Sequence, residues 1–199
     1  TLNTCQYLET QGYEVTYLQP DARGLIDPSQ VAQAIRADTV LCSFHHAHNE
    51  IGVIQDIESI SALCHQHGIL MHVDAAQSLG RCALDLAKMP IDLMSLSGHK
   101  IYGPKGIGAL YCRRLPKRVQ LTTLIHGGGE GLSKRGGTLS PLLVVGMGAA
   151  AKIWQDQAHI INKHCSVLRD RLWTGLSTIQ GIQVQGCMQQ RLPHNLHIS

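Results

Sequence analysis

The chain has 199 residues, 44% of them hydrophobic, and a formal net charge of +3 from 17 Lys and Arg against 14 Asp and Glu. That apolar content supplies a full core and excludes a disordered chain, and no run of five like charges or aromatic-interleaved basic stripe marks a nucleic-acid surface. No apolar run approaches the roughly 18 residues of a membrane span, and the first residues lack the charged-then-apolar layout of a signal peptide, so neither nucleic acid nor membrane is expected as a partner. Seven cysteines, Cys5, Cys42, Cys64, Cys82, Cys112, Cys165 and Cys187, are scattered without a C-x-x-C pair. An odd, dispersed set reads as reduced thiols, and hence as a cytoplasmic protein or one from an organelle matrix. The chain starts on Thr1 and stops inside the apolar alternation "HNLHIS", so it reads as part of something longer.

In chain order, "EVTYL" (14–18) is a β-branched run and predicts a strand. "DPSQVAQAIRAD" opens with Asp27 as N-cap and Pro28 at the first helical position, with Val31, Ala34 and Ile35 at helical spacing. "TVLCSF" (39–44) predicts a strand, and "IQDIESISALCHQHG" a helix with Ile54, Ile57, Ile60, Leu63 and Cys64 on one face and Gly68 as its stop. Strands follow at "ILMHVDA" (69–75), "IDLMSLS" (91–97) and "GIGALYC" (106–112). Several of these runs are apolar on both faces, as strands covered from both sides must be. The expected fold is therefore α/β, a mostly parallel sheet sandwiched by helices. From Leu139 to Leu176 a long, broken helical region is expected, after which "IQVQG" (182–186) and "NLHIS" (195–199) read as strands of a small α+β unit. A boundary near residue 150 gives a larger unit, 1–150, and a connecting helix with the start of the smaller unit, 151–199.

Three places suggest chemistry. In "HVDAAQSLG" Asp74 stands where the strand "ILMHV" runs out, the end of an open α/β sheet where ligands bind, with Gln77 three residues on; Asp74 as a simple cap of the next turn is the competing reading. In "SLSGHKIYGPKG" (95–106), Ser97, His99 and Lys100 leave a neighbouring strand on the same side if the strands are parallel. Gly98 permits close backbone approach there, and Gly103, Pro104 and Gly106 tighten the loop. A lysine amine among other donors can form a Schiff base. A pyridoxal phosphate site needs such a lysine, an acid for the pyridinium nitrogen, and hydroxyl and imidazole donors for the phosphate; Asp74, Ser97, His99 and Lys100 supply that set. Each of these residues taken singly is also an ordinary surface or packing residue. In "HAHNEIG" (46–52) Asn49 follows another strand and serves either a ligand oxygen or a turn. His45, His46 and His48 lie close in sequence, and alternation would put His46 and His48 on one face, but no acidic or thiol partner has ligand spacing and no metal is expected.

The runs "HAHNEIGVIQDI", "HVDAAQSLG", "DLMSLSGHKIYGPKGIGALY" and "HGGG" followed by "RGGTLS" closely resemble the cysteine desulfurases of the class V aminotransferase group, within the fold-type I pyridoxal phosphate enzymes. The resemblance extends through almost the whole chain in the family's order and favours the branch that feeds iron–sulfur assembly. It implies that 1–150 is most of a cofactor-binding large domain, incomplete at its N-terminus. It implies that Lys100 holds pyridoxal 5'-phosphate and moves protons at the substrate Cα, while Asp74 keeps the pyridine nitrogen protonated. Gln77 and Asn49 would address the ring oxygen or the substrate carboxylate, and Ser97 and His99 the phosphate. Thr138 of "RGGT" would reach the phosphate of a neighbouring subunit in a homodimer. The implied reaction converts L-cysteine to L-alanine and passes sulfur, through an enzyme persulfide, to an iron–sulfur scaffold or other acceptor protein. The setting would be the cytoplasm, or the mitochondrial matrix in a eukaryote.

The chain departs from that pattern in places. None of its seven cysteines has the Ser- and Gly-rich setting of the family's persulfide cysteine. In "HGGGEGLSKRGGT" Glu130 comes one place early, and Leu132 and Ser133 replace polar and Gly positions; His48 stands where a second Asn is common. The isolated chain is accordingly expected not to turn over cysteine. The alternatives are a non-catalytic dimerising or scaffold-binding fragment, and a selenocysteine lyase-like or other class V relative. "LLVVGMGAAA" (142–151) imitates a dinucleotide fingerprint but lacks a strand before it; its small residues are expected to let two helices pack closely. "HGGG" imitates an esterase oxyanion motif, yet the chain has no G-x-S-x-G nucleophile.

Overall fold

The computed structural model describes residues 2–114, 119–128 and 135–199. Four strands, β1 (Leu41–His45), β2 (Leu70–Asp74), β3 (Leu93–Ser97) and β4 (Gly108–Cys112), form one sheet in the order β1-β2-β3-β4. The first three run parallel and β4 is antiparallel to β3, with Gly108 opposite Ser97. Chain connection explains the switch. A parallel return takes a crossover of a dozen or more residues, and only residues 98–107 separate β3 from β4.

Among the described residues four α-helices accompany the sheet. α2 (Pro28–Ala34) starts as the sequence predicts, with the Asp27 carboxylate accepting from the Ser29 N–H at 2.7 Å and the Gln30 side chain accepting from the Asp27 N–H at 3.0 Å. In α3 (Ile57–Gln66) the Asp56 carboxylate accepts from the Ser59 N–H at 3.0 Å, and Gly68 takes φ +69° just beyond the end. Val31, Ile57, Ile60 and Cys64 from these two helices pack against Met71, Val73 and Met94, and Cys42, Phe44, Leu96 and Tyr111 complete that face of the sheet. Ile57, Ile60 and Met71 are 1%, 0% and 0% exposed. Each such burial contributes about 1.5–3 kcal/mol, so this layer holds the strands in place.

The opposite face is not continuously apolar, contrary to the expectation of strands apolar on both sides. Period-two alternation gives it Ser43, His45, His72, Asp74, Ser95 and Ser97. Ser43 Oγ lies 2.8 Å from His72 Nδ1, and His72 Nε2 lies 2.9 Å from Ser95 Oγ, so three strands are tied by one imidazole.

Other segments correct the sequence reading. "EVTYL" forms no strand among the described residues; β-branched residues favour extended backbone without supplying a partner. A helix that the pattern did not reveal, α1 (Leu2–Thr10), buries none of its residues, which is why no apolar stripe announced it. The expected broken helical region is one uninterrupted helix, α4 (Pro141–Leu176), of 36 residues. "LLVVGMGAAA" lies wholly in or at the start of that helix, which excludes a strand-led dinucleotide fingerprint. Two of its small residues face the loop after β3: a Cβ on Gly146 would stand 3.0 Å from Pro104, and one on Gly103 would stand 3.4 Å from Ala150, whereas Gly148 meets nothing within 4 Å.

Residue 150, where the sequence reading expects a boundary, falls inside α4. "IQVQG" and "NLHIS" meet in a single antiparallel bridge, Val184 to Ile198, too short for full strands. The chain between them folds back on the 46–55 loop. The Ile54 N–H donates to the Gln190 carbonyl at 2.8 Å, the Leu192 N–H to Gly52 at 2.8 Å, and the Asn195 amide to Glu50 at 2.7 Å. Among the described residues no helix is long and apolar enough to cross a membrane.

Candidate functional site

Parallel strands bring their carboxyl ends to one edge, and the candidate residues collect there. Asp74 is the last residue of β2 and stands in register with His45 of β1 and Ser95 of β3. Its backbone is held from both sides: its carbonyl accepts from the His46 N–H, and the following Ala75 N–H donates to the Ser95 carbonyl, each at 2.9 Å. Its Oδ1 accepts from the Ala76 N–H at 3.0 Å. Asp74 therefore does cap its turn, and the same half-buried carboxylate also lines a cavity of about 300 Å³ with His45, Ala47, His48, Asn49, Ala76 and Gln77.

Asn49, Asp74 and Gln77 are thus brought together around one open pocket. Ser97, His99 and Lys100 stand beside it at the end of the adjacent strand and do not line this cavity. Lys100 occupies a four-residue 3₁₀ turn, Gly98–Ile101, with its side chain exposed. The Ser97 hydroxyl and His99 Nδ1 are 3.2 Å apart, a ready pair of polar groups at the mouth of that turn. Tyr102 closes the turn in the left-handed region, at φ +63°. Thr138 is exposed on the segment before α4, away from the cavity lining, near the bridge that pairs Ile125 with Arg135. Glu130, Leu132 and Ser133 lie outside the described residues.

The histidines are arranged differently from the alternation expected of them. His45 ends β1 and the chain then turns, so His45 and His48 meet edge-to-face with centroids 5.2 Å apart while His46 is buried. His48 Nδ1 accepts from the Glu50 N–H at 3.1 Å and the Ile51 N–H at 3.3 Å, which makes it the pivot of that turn. Among the described residues no three His, Cys, Asp or Glu side chains are grouped to hold a metal ion. Burial, then neighbouring His48, lowers the pKa of His45, against an opposing pull from Asp74. His72 is likewise lowered by burial, with Asp74 opposing. Sequence reasoning passed over His72; its signal was the spacing of two from Asp74, which puts both on one face of β2.

His46 is 4% exposed, its Nδ1 has no hydrogen-bond partner among the described residues, and its pKa is lowered to about 4 by burial and by His45. An unfolded histidine titrates at about 6.5, so between those values the unfolded chain binds the extra proton. Stability is complete above the unfolded value and falls as pH drops from about 6.5 through 4, by about 3 kcal/mol for this one group. Urea unfolding at pH 7 and pH 4.5 should show that loss. His46→Asn should flatten the part of the slope due to this site.

The family model for class-V aminotransferases matches residues 1–199. The chain belongs to the class-V aminotransferase family. Within it, the chain is 52% identical over 198 residues to the cysteine desulfurase IscS of Mannheimia succiniciproducens, and 51% identical to that of Vibrio vulnificus, covering all of this chain and 49% of each relative. It thus spans about half the length of the curated relatives it matches. The crystal structure of DndA from Streptomyces lividans superimposes over 100% of this chain and 56% of its own, with a TM-score of 0.94 and 38% identity. A structure titled SspA in complex with cysteine is 51% identical over 76% of this chain and 43% of that one, with a TM-score of 0.71. As a class-V aminotransferase fold, the sheet edge described above is where the family's ligand chemistry is to be sought.

Proposed function

We propose that this chain carries the cofactor-binding part of a pyridoxal-phosphate-dependent cysteine desulfurase, which converts L-cysteine to L-alanine and passes the sulfur to an acceptor thiol for iron–sulfur cluster assembly. The observation that carries the reading is the donor set at one sheet edge: a half-buried carboxylate, two amides, a hydroxyl–imidazole pair and an amine at the carboxyl ends of adjoining parallel strands and on the turns that follow them. That set fits the group. A carboxylate matches a protonated ring nitrogen, amides match a ring oxygen, hydroxyl and imidazole match a phosphate, and the amine matches an aldehyde.

When bound, pyridoxal phosphate supplies an electron sink for the substrate Cα. The chain's own residues do the rest. Asp74 holds a proton on the ring nitrogen. Gln77 and Asn49 orient the ring through its oxygen and set the place of the substrate carboxylate. Ser97 and His99 bind the phosphate. The Lys100 amine would anchor the ring and would take and return the proton at Cα, as an amine held beside the substrate can do. In this reading the active form is a homodimer in which Thr138 serves the neighbouring subunit's phosphate, residues 1–150 belong to the large domain, and the setting is the cytoplasm or a matrix compartment. The free state of all seven cysteines agrees with a reducing compartment.

The test is a purification of the full-length protein, a visible spectrum, and an assay of alanine and released sulfide from L-cysteine with a thiol acceptor present. Absorbance at about 400 nm with stoichiometric alanine supports the reading. A colourless protein that reconstitution with the cofactor leaves colourless sinks it. Turnover of L-selenocysteine alone moves the assignment to the lyase-like branch.

A further inference from the structure

A four-residue turn such as Gly98–Ile101 makes too few internal hydrogen bonds to hold one shape by itself, yet it bears Lys100. The hold comes from α4. Trp154 is 3% exposed, and its Nε1–H donates to the carbonyl of Ile101 at 3.0 Å, the residue directly after Lys100. Ile101, 1% exposed, packs with Trp154 and Ala150 in a small separate core.

The indole has a second set of neighbours from the chain after Asp74. Gly80, at φ +73°, lies so close that a Cβ there would stand 2.6 Å from the ring. The Arg81 guanidinium lies 5.1 Å from the Trp154 ring and 5.9 Å from that of Tyr102, and Tyr102 stacks on Trp154 at 6.1 Å and 11°. Asn162, two turns further along α4, donates to the carbonyls of Gly80 and Arg81 at 3.2 and 3.1 Å. One face of α4 therefore grips two turns at once, that following Asp74 and that bearing Lys100.

We propose that Trp154 is a positioning residue that fixes the Lys100 turn relative to the Asp74 turn through its hydrogen bond to Ile101. The proposal rests on the reading above only for its catalytic consequence. Misplacement of a reacting group by about 1 Å costs roughly a hundredfold in rate, so the grip acts on kcat rather than on substrate affinity.

The experiment uses the full-length protein and two variants. Trp154→Phe keeps the packed ring and removes the donor; Asn162→Ala loosens the other turn and leaves the indole in place. In the cofactor-stripped proteins, amide hydrogen exchange of the 98–103 turn, whose Tyr102 and Gly103 N–H groups donate to the Gly98 carbonyl, is followed by mass spectrometry against peptides of α3 as internal references. The turn should exchange several-fold faster in Trp154→Phe and less so in Asn162→Ala, with the α3 peptides unchanged. In the loaded protein kcat for L-cysteine should fall about tenfold or more with KM nearly constant. Unchanged exchange of the 98–103 turn in both variants, or a loss confined to KM, overturns the proposal. Absence of a visible band in the wild type would instead defeat the functional reading, and the exchange rates would still decide whether the indole holds the turn.

Discussion

Lys100→Ala in the full-length protein is expected to abolish the absorbance at about 400 nm and to lower cysteine turnover by roughly 10³-fold or more. Two tasks are lost at once, the covalent anchor and the group that moves the Cα proton, and neither can be supplied by solvent at the same place. The fold should be indifferent. Lys100 is exposed on its turn, whereas the buried work there is done by Gly98 and Ile101. Lys105, on the same loop and also exposed, is the internal control: Lys105→Ala should keep both colour and turnover. Borohydride reduction followed by peptide mapping checks the assignment directly. A reduced adduct persisting in Lys100→Ala would place the anchor on another amine and remove the basis of the proposed mechanism.

The elements that the sequence made legible were those whose own residues decide them. α2 and α3 carry their caps at Asp27 and Asp56, and β2 and β3 lie inside the runs 69–75 and 91–97 that announced them. Elements decided by partners were not legible. Whether "EVTYL" pairs depends on a strand that must lie beside it, and none does among the described residues. α1 buries none of its residues, so no buried face stamped a period on it. The antiparallel β4 follows from the length of the loop after β3, a constraint of connection rather than of composition.

At the site the same division holds. Asp74 and Lys100 were readable because Asp74 ends one strand, Lys100 stands three residues past the end of the next, and the two strands proved parallel. Asn49 and Gln77 join Asp74 through loops whose path depends on contacts from far along the chain, such as the Asn195 amide on Glu50. Gly52 is part of that path: it has φ +69°, and a Cβ there would lie 2.3 Å from Asn195. His72 and Trp154 escaped notice because their partners are distant in sequence, 29 and 53 residues away, and no local pattern reports such a pair. Family motifs identify groups that touch ligand; the groups that hold those in place emerge only once the chain is folded.

Asp74→Asn separates binding from chemistry more sharply than any other change at this edge. Asparagine is nearly isosteric and retains an oxygen at the Oδ1 position, so the 3.0 Å bond from the Ala76 N–H can persist and the turn leading to Gln77 should keep its path. The cofactor should therefore remain bound and coloured. The negative charge is what disappears. Without it a proton on the ring nitrogen is no longer favoured over solvent, since an opposite charge at close range is what raises the affinity of that nitrogen for a proton. A ring that is less electron-withdrawing stabilises less of the charge that develops at Cα, and kcat should fall by roughly 10²–10⁴-fold while KM changes little. Proton removal should also become the slowest step, so L-cysteine deuterated at Cα should show a larger isotope effect in Asp74→Asn than in the wild type. A variant that loses its colour would make Asp74 a binding residue. One that keeps colour and turns over within a few-fold of the wild type would show that the carboxylate only caps its turn, and the electron-sink role would have to be given up.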